Sequence, residues 1–193
     1  ALRLEMKNIL IAFDETEDPS QLGKEYKEIS GHLIFDIKLG EGFRRKARGL
    51  ADGHKMEAPS AVTYSTVVAR DSVRIMLLVA GLNGSDVQGA DIQNAYLQAP
   101  SSEKHYIICG DEFGEEHRGK VALIRRALYG GKMAGRDYWR HMRRFMSELG
   151  FKACKADPEV WMREHTSPSG ESYWEYVLLY VDDCLVISHR GMN

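Results

Sequence analysis

The stretch Tyr176 to Ser188, YVLLYVDDCLVIS, constrains the fold more than any other. Two uncharged apolar runs, Tyr176 to Val181 and Cys184 to Ile187, flank two adjacent acids, Asp182 and Asp183. Each run is rich in β-branched and aromatic residues and has the length of a buried strand. The pattern predicts a hairpin that turns at Val181-Asp182-Asp183. Tight hairpin turns need a residue tolerant of positive φ. The turn holds neither Gly nor Asn, so an Asp is expected to supply that conformation, with some backbone strain. An isolated Asp-Asp pair is explained well enough by the tolerance of Asp for turns. Placed between hydrophobic strands, though, two like charges repel and lose hydration, a cost that a bound cation removes. Paired carboxylates suit Mg²⁺, which takes oxygen ligands and keeps positions open for phosphate.

The chain has 193 residues, 44% hydrophobic and 28% charged, enough for one domain or a domain with a smaller subdomain. Cys109, Cys154 and Cys184 are widely spaced and show no metal or disulfide pattern, which fits a reducing interior. No apolar run reaches membrane-spanning length, and the N-terminus has no signal-peptide pattern. The chain begins without Met and stops soon after the acidic hairpin, so it is expected to be a piece of something longer.

A formal net charge of −2 hides two basic tracts. Arg118 to Arg144 holds nine Lys/Arg against one acid, and Lys38 to Arg48 five against one. Basic tracts around an acidic centre suit an enzyme that handles a polyanion with bound metal. Either tract alone is equally a solvated face.

Residues 1–31 read as a short helix followed by a loop, with Asp14 to Ser20, containing Pro19, as linker. His32 to Leu39 alternates and predicts a half-buried strand with Leu33, Phe35, Ile37 and Leu39 on one side. After a Gly40-Glu41-Gly42 turn, Phe43 to Ala51 returns with Arg44, Lys46 and Arg48 on one face, either a phosphate-binding row or an exposed charged hairpin. Glu57 to Ser60 reads as a loop. Arg70 to Gly84 predicts a core helix capped by Asp71 or Ser72 and ended by Asn83-Gly84. A short strand is expected to end at Asp91, a third acid, with Gly89 permitting close backbone approach. A lone Asp there is also an ordinary turn or cap residue.

Strands are predicted at Lys104 to Cys109, Val121 to Arg125 and Val160 to Arg163, with a loop at Ser167 to Gly170. Lys132 to Leu149 predicts a helix with the apolar stripe Tyr138, Met142, Phe145 and Leu149, stopped by Gly150. Asp157-Pro158 breaks the chain. The mixture predicts an α+β fold.

In this order the pieces resemble the reverse transcriptases of copia-type long-terminal-repeat retrotransposons. The resemblance is carried by HLIFDIK at 32–38, RRKARGLADGHK at 44–55, YSTVVARDSVRIMLLVAGLN at 64–83, DIQNAYLQAP at 91–100, RRALYGGKMAG at 125–135, ELGFKACKADPEVWMR at 148–163 and LLYVDD at 178–183. It implies a right-hand polymerase: fingers from about residues 1–84 with a further piece near 100–132, and a palm of antiparallel sheet and packed helices. Residues 1–31 would be an N-terminal helix and linker, and 32–193 the fingers and palm domain. The thumb and ribonuclease H would lie beyond Asn193.

By the same resemblance Asp91, Asp182 and Asp183 are catalytic and ligate two Mg²⁺ ions, with Mn²⁺ able to substitute. Tyr96 matches the aromatic that closes off the sugar 2′ position, and the backbone of Asn94 and Ala95 would face the triphosphate. Lys46 and Arg48 match the phosphate-holding cations of the fingers, and Gly130 and Lys132 a segment bordering nucleotide and template. Implied partners are an RNA template, a DNA primer, deoxynucleoside triphosphates and the remaining Gag-Pol polyprotein with its ribonuclease H and integrase, with no membrane. The implied location is cytoplasmic, in virus-like particles, or nuclear.

Two departures from the family pattern stand out. Gly49 occupies a usually apolar position and is expected to weaken its strand. Gly131 to Gly135 lacks the usual Gln and Pro. A catalytically inactive transposon-derived fragment that binds nucleic acid or a partner through its basic tract is the alternative. A metal-dependent nuclease or nucleotide cyclase explains neither the basic hairpin nor Tyr96.

Overall fold

The computed structural model describes residues 1–16, 22–59, 61–167 and 169–189. Residues 17–20 of the linker predicted from Asp14 to Ser20 lie outside them, as do Ser60 and Pro168 of two predicted loops. The fold is α+β. The chain divides into two compact units, one of residues 1–64 and 96–138, the other of 65–95 and 139–193.

The first unit opens with helix α1 (Leu2–Ile9). Strands β1 (Phe13–Thr16), β7 (Val121–Ile124), β6 (His105–Ile108) and β2 (Lys27–Glu28) form a sheet in that spatial order. β1 and β2 fall where the sequence reads as loop. β1 pairs with β7 from Phe13 opposite Ile124 to Thr16 opposite Val121, a partner far along the chain that no local pattern announces. Met6, Ile9, Ala12, Ala51, Met56, Leu97 and Leu128 make the core of this unit.

Strands β3 (Gly31–Lys38) and β4 (Arg44–Ala51) form a separate antiparallel hairpin. Its root is buried and its far end is not. Ala47 and Ala51 are buried, whereas Phe35 is 63%, Ile37 52% and Leu39 72% exposed. The expected half-buried face thus holds only near Leu33, where the core reaches. Gly49 does not loosen the strand. A Cβ there would lie 2.8 Å from Ile9 Cδ1, and its amide donates to Glu5 Oε1 at 2.9 Å. The missing side chain makes the room into which α1 packs.

In the second unit a five-stranded sheet runs β5 (Asp86–Asp91), β11 (Asp183–Ser188), β10 (Ser172–Tyr180), β9 (Val160–Thr166), β8 (Lys152–Ala153). Helix α2 (Arg70–Asn83) covers one face, with Met76 and Ala80 against Val160, Leu178 and Ile187. From helix α4 (Ala134–Glu148), Met142 and Met146 pack with Trp161, Val177 and Leu179 on the other. Burial on both faces explains why β10 reads as an unbroken apolar run from Tyr176 onward.

The cap of α2 differs from expectation. Ala69 is its N-cap, and the Ala69 amide donates to Asp157 Oδ2 at 2.9 Å, a carboxylate reaching in from another segment. Burial works to raise the Asp157 carboxyl, but bonds from Ser72 and the amides of Ala69 and Glu159 outweigh it and hold it below its ordinary value. Gly84 (φ 61) and Gly150 (φ 84) end α2 and α4 in the left-handed conformation, as their positions predict.

Candidate active site

β10 and β11 pair from Tyr176 opposite Ile187 to Tyr180 opposite Asp183, so Val181 and Asp182 make a two-residue turn. Val181, not an Asp, takes the positive φ, at 55°, and Asp182 does not. Positive φ at the first central residue alone is the II′ pattern, which matches the twist of the strands it joins. For a β-branched residue that conformation is a true outlier. The strain foreseen for the turn is present, one residue earlier than expected.

β11 also pairs with β5, with Asp183 directly opposite Asp91. The side chains of such a pair leave the same face, with Cβ atoms roughly 4.5–5.5 Å apart. The Ile92 amide donates to the Asp182 carbonyl at 2.7 Å and ties the turn to the end of β5. Three acids from two distant stretches are thereby gathered at one end of the sheet. The Cys184 thiol senses them: burial, then Asp183, Asp182 and Asp91, push it up to about 11.

Asp91 and Asp183 line an open groove of about 620 Å³ with Arg70, Tyr180, Leu178 and Cys184. Gly89 also lines it, and nothing lies within 4 Å of where its Cβ would be. Among the described residues no three His, Cys, Asp or Glu side chains converge closely enough to hold a metal ion by themselves. The acids are an all-oxygen set, two of them exposed and set like charge against like charge. That fits Mg²⁺, which is usually held by one or two carboxylates with water and substrate phosphate completing its shell.

Asn94, at φ 52°, makes the left-handed turn that leads out of this strand end, and buried Ala95 opens the one-turn helix α3 (Ala95–Gln98). Tyr96 belongs to the first unit. Its ring lies 4.7 Å from that of Tyr129 and 5.6 Å from that of Tyr138.

The remaining predicted binding residues also lie in the first unit. Lys46 and Arg48 share a hairpin face with Lys38 and Arg44, since Lys38 stands opposite Arg44, Asp36 opposite Lys46 and Ile34 opposite Arg48. Burial, then the charges of Arg48, Lys38 and Arg44, depress the Lys46 ammonium below its usual value. A face where cations destabilise one another is suited to an anion. Gly130, at φ 87°, is fitted against the hairpin: a Cβ on it would lie 2.2 Å from the Ala51 carbonyl oxygen. Lys132 Nζ donates to the Met56 carbonyl at 2.7 Å, so in this structure its ammonium braces the loop after the hairpin.

The larger basic tract is mostly neutralised locally. Arg118 pairs with Asp111, Lys120 with Glu15, Arg125 with Asp14, Arg143 with Glu159 and Arg144 with Glu148. Arg143 also stands 4.9 Å and 5.0 Å from the ring centres of Trp139 and Trp161.

The family model for reverse transcriptase (RNA-dependent DNA polymerase) matches residues 15–192. The chain belongs to the reverse transcriptase family. Its curated relatives place it among copia-type elements. It is 32% identical to the retrovirus-related Pol polyprotein from transposon RE1 of Arabidopsis thaliana, over 74% of this chain and 10% of that protein. It is 31% identical to the corresponding polyprotein from transposon RE2 of the same plant, with the same coverage. To the polyprotein from transposon TNT 1-94 of Nicotiana tabacum it is 28% identical over 64% of this chain and 9% of that protein. This reverse transcriptase domain thus spans about a tenth of the curated relatives it matches.

Sequence reasoning missed Asp52 and Glu159, both buried acids. Glu159 accepts from Thr66 Oγ1 and, at 2.8 Å, from Trp139 Nε1. Both fall inside stretches that carry the family resemblance, but neither stretch says that they are buried, because Ser30 and His32 for Asp52, and Thr66 and Trp139 for Glu159, come from other segments.

Proposed function

We propose that the chain supplies the polymerising centre of an RNA-directed DNA polymerase, adding deoxynucleotides to a primer 3′-hydroxyl on an RNA template. The observation that carries this reading is the Asp91–Asp183 cross-strand pair with Asp182 in the adjoining turn. The unit holding these acids acts as palm, and the unit holding the basic hairpin as fingers.

Asp91, Asp182 and Asp183 would hold the Mg²⁺ ions, whose charge activates the 3′-hydroxyl and stabilises the pyrophosphate leaving group when bound. The residues of the chain do the rest. The β5–β11 register sets the spacing of the carboxylates, and the bond from Ile92 fixes the turn between them. Lys46 and Arg48 meet the negative charge of the triphosphate. Tyr96, backed by the rings of Tyr129 and Tyr138, stands against a 2′-hydroxyl and selects deoxynucleotides. A non-catalytic binding module working through the tract from Arg118 to Arg144 is less well supported, because so many of its cations are spent on neighbouring carboxylates.

The test is primer extension on an RNA template with deoxynucleotides and Mg²⁺, comparing the unaltered chain with Asp182→Asn. Extension by the first and none by the second is the expected result. Extension by neither would overturn the activity.

A further inference from the structure

Asp52 follows directly on the basic strand β4 and is 4% exposed. Its carboxylate collects three donors. Ser30 Oγ donates at 2.5 Å, Lys55 Nζ at 2.7 Å, and His32 Nδ1 lies 2.5 Å from Oδ1, so that nitrogen carries the proton. Its backbone takes part as well. The Asp52 amide donates to the Ser30 carbonyl at 2.9 Å, and the Asp52 carbonyl accepts from the Lys55 amide at 2.9 Å. Lys55 Nζ also donates to Ser30 Oγ at 3.0 Å, which closes the ring of contacts. One residue therefore fastens the start of β3, the end of β4 and the turn that follows.

Its chain neighbours on both sides touch the segment around Gly130. The Ala51 amide donates to the Tyr129 carbonyl at 2.7 Å. A Cβ on Gly53 would lie 1.9 Å from the Gly130 carbonyl oxygen, and one on Gly130 2.2 Å from that of Ala51. These backbones are in contact with no room between them. Tyr129 in turn carries the ring of Tyr96 at 4.7 Å and has the Arg48 guanidinium 5.9 Å from its centre. Arg48 and Tyr96, through Tyr129, together with Gly130 and Lys132 thus contact the backbone around Asp52, and Lys46 lies further along the same strand as Arg48.

We infer that Asp52 is a positioning residue for the incoming nucleotide: it locks the root of the basic hairpin against the Tyr129–Gly130 segment, so that the phosphate cations and the sugar-facing ring keep one register. The inference rests on the polymerase reading above. Asp52 itself touches no substrate. A buried carboxylate with several charged or polar donors is a stiff anchor, because losing its charge leaves those donors without their acceptor. The energetic consequence should fall on binding, since the acids of the second unit are untouched.

The experiment measures the affinity of the chain for dTTP in Mg²⁺ by calorimetry, and KM for dTTP and kcat on an oligo(dT)-primed poly(rA) template. Asp52→Asn is expected to weaken dTTP binding and raise KM about tenfold with kcat nearly unchanged, well inside the ~100-fold that a 1 Å misplacement can cost. Ser30→Ala, which removes one donor, shifts the same quantities the same way by less, and Asp52→Glu recovers part of the loss. A purely structural role would lower the melting temperature and leave KM alone in the folded fraction. Unchanged dTTP affinity and KM in Asp52→Asn and Ser30→Ala would overturn the inference, as would a loss confined to kcat. Should Asp52→Asn not fold, Ser30→Ala decides. If the unaltered chain neither binds dTTP nor extends the primed template, the polymerase reading falls and this inference with it, an outcome distinct from a variant that behaves like the unaltered chain.

Discussion

Asp91 and Asp183 stand directly opposite each other on neighbouring antiparallel strands, the last residue of β5 against the first of β11. Like charges placed so destabilise a sheet by roughly 0.2–1 kcal/mol. The fold accepts that cost at the position where the proposed chemistry needs negative charge. Asp91→Asn and Asp183→Asn are therefore expected to raise the melting temperature in metal-free, low-salt buffer while abolishing primer extension. The gain should shrink as salt screens these exposed groups. Mg²⁺ should stabilise the unaltered chain and do so far less for either variant. Thermal melts with and without metal check both statements.

Val181 is strained by its position between Tyr180 and the acids. Positive φ in a β-branched residue costs about 1–2 kcal/mol, whereas Gly adopts it freely at an entropic cost of about 0.5–1 kcal/mol. Val181→Gly is expected to be neutral or to stabilise by up to about 1 kcal/mol in a denaturant titration. Substituting Pro there, whose ring fixes φ near −65°, should break the hairpin.

Gly89 and Gly130 are both conspicuous in the sequence beside predicted site residues, yet the structure separates them. Gly130→Ala drives a methyl into the Ala51 carbonyl at a φ of +87°, and should cost about 3 kcal/mol, the upper end of ordinary substitutions. Gly89→Ala meets nothing within 4 Å and should change stability by no more than about 0.5 kcal/mol. Paired denaturation curves read the contrast directly.

How much of this could be read from sequence depended on how local the cause was. The strands β10 and β11, with the helices α2 and α4, were legible because burial on both faces or along one stripe writes itself into consecutive residues. The gathering of Asp91 with Asp182 and Asp183 was legible only through family resemblance, since nothing within β5 states that it lies beside β11. β1 was invisible because its partner β7 begins at Val121, and β8 because two residues make no period. Gly49 read as a weakness until Ile9 was seen to occupy the space it leaves. The positive φ was foreseen but assigned to an Asp on side-chain preference. The hairpin register instead put Val181 at the position that requires it.

The ring of donors around Asp52 gives a pH dependence whose sign can be worked out. Bonds from Lys55, Ser30 and His32 hold its carboxyl far below the ordinary 3.8. A carboxyl depressed on folding stabilises the native state fully above its unfolded value, and that contribution is lost as pH falls through 3.8 towards the folded value. The first unit is therefore expected to lose stability steeply below about pH 4, where the unfolded chain binds a proton that the folded chain refuses. Asp52→Asn removes the titrating group. It should be less stable than the unaltered chain at neutral pH, and the two melting temperatures should converge as pH falls below 4. A melting series from pH 7 to pH 3 checks this. Parallel curves for the two proteins would show that the contacts of Asp52 leave its proton affinity unchanged on folding, and would remove the charge from the account of how the hairpin is held.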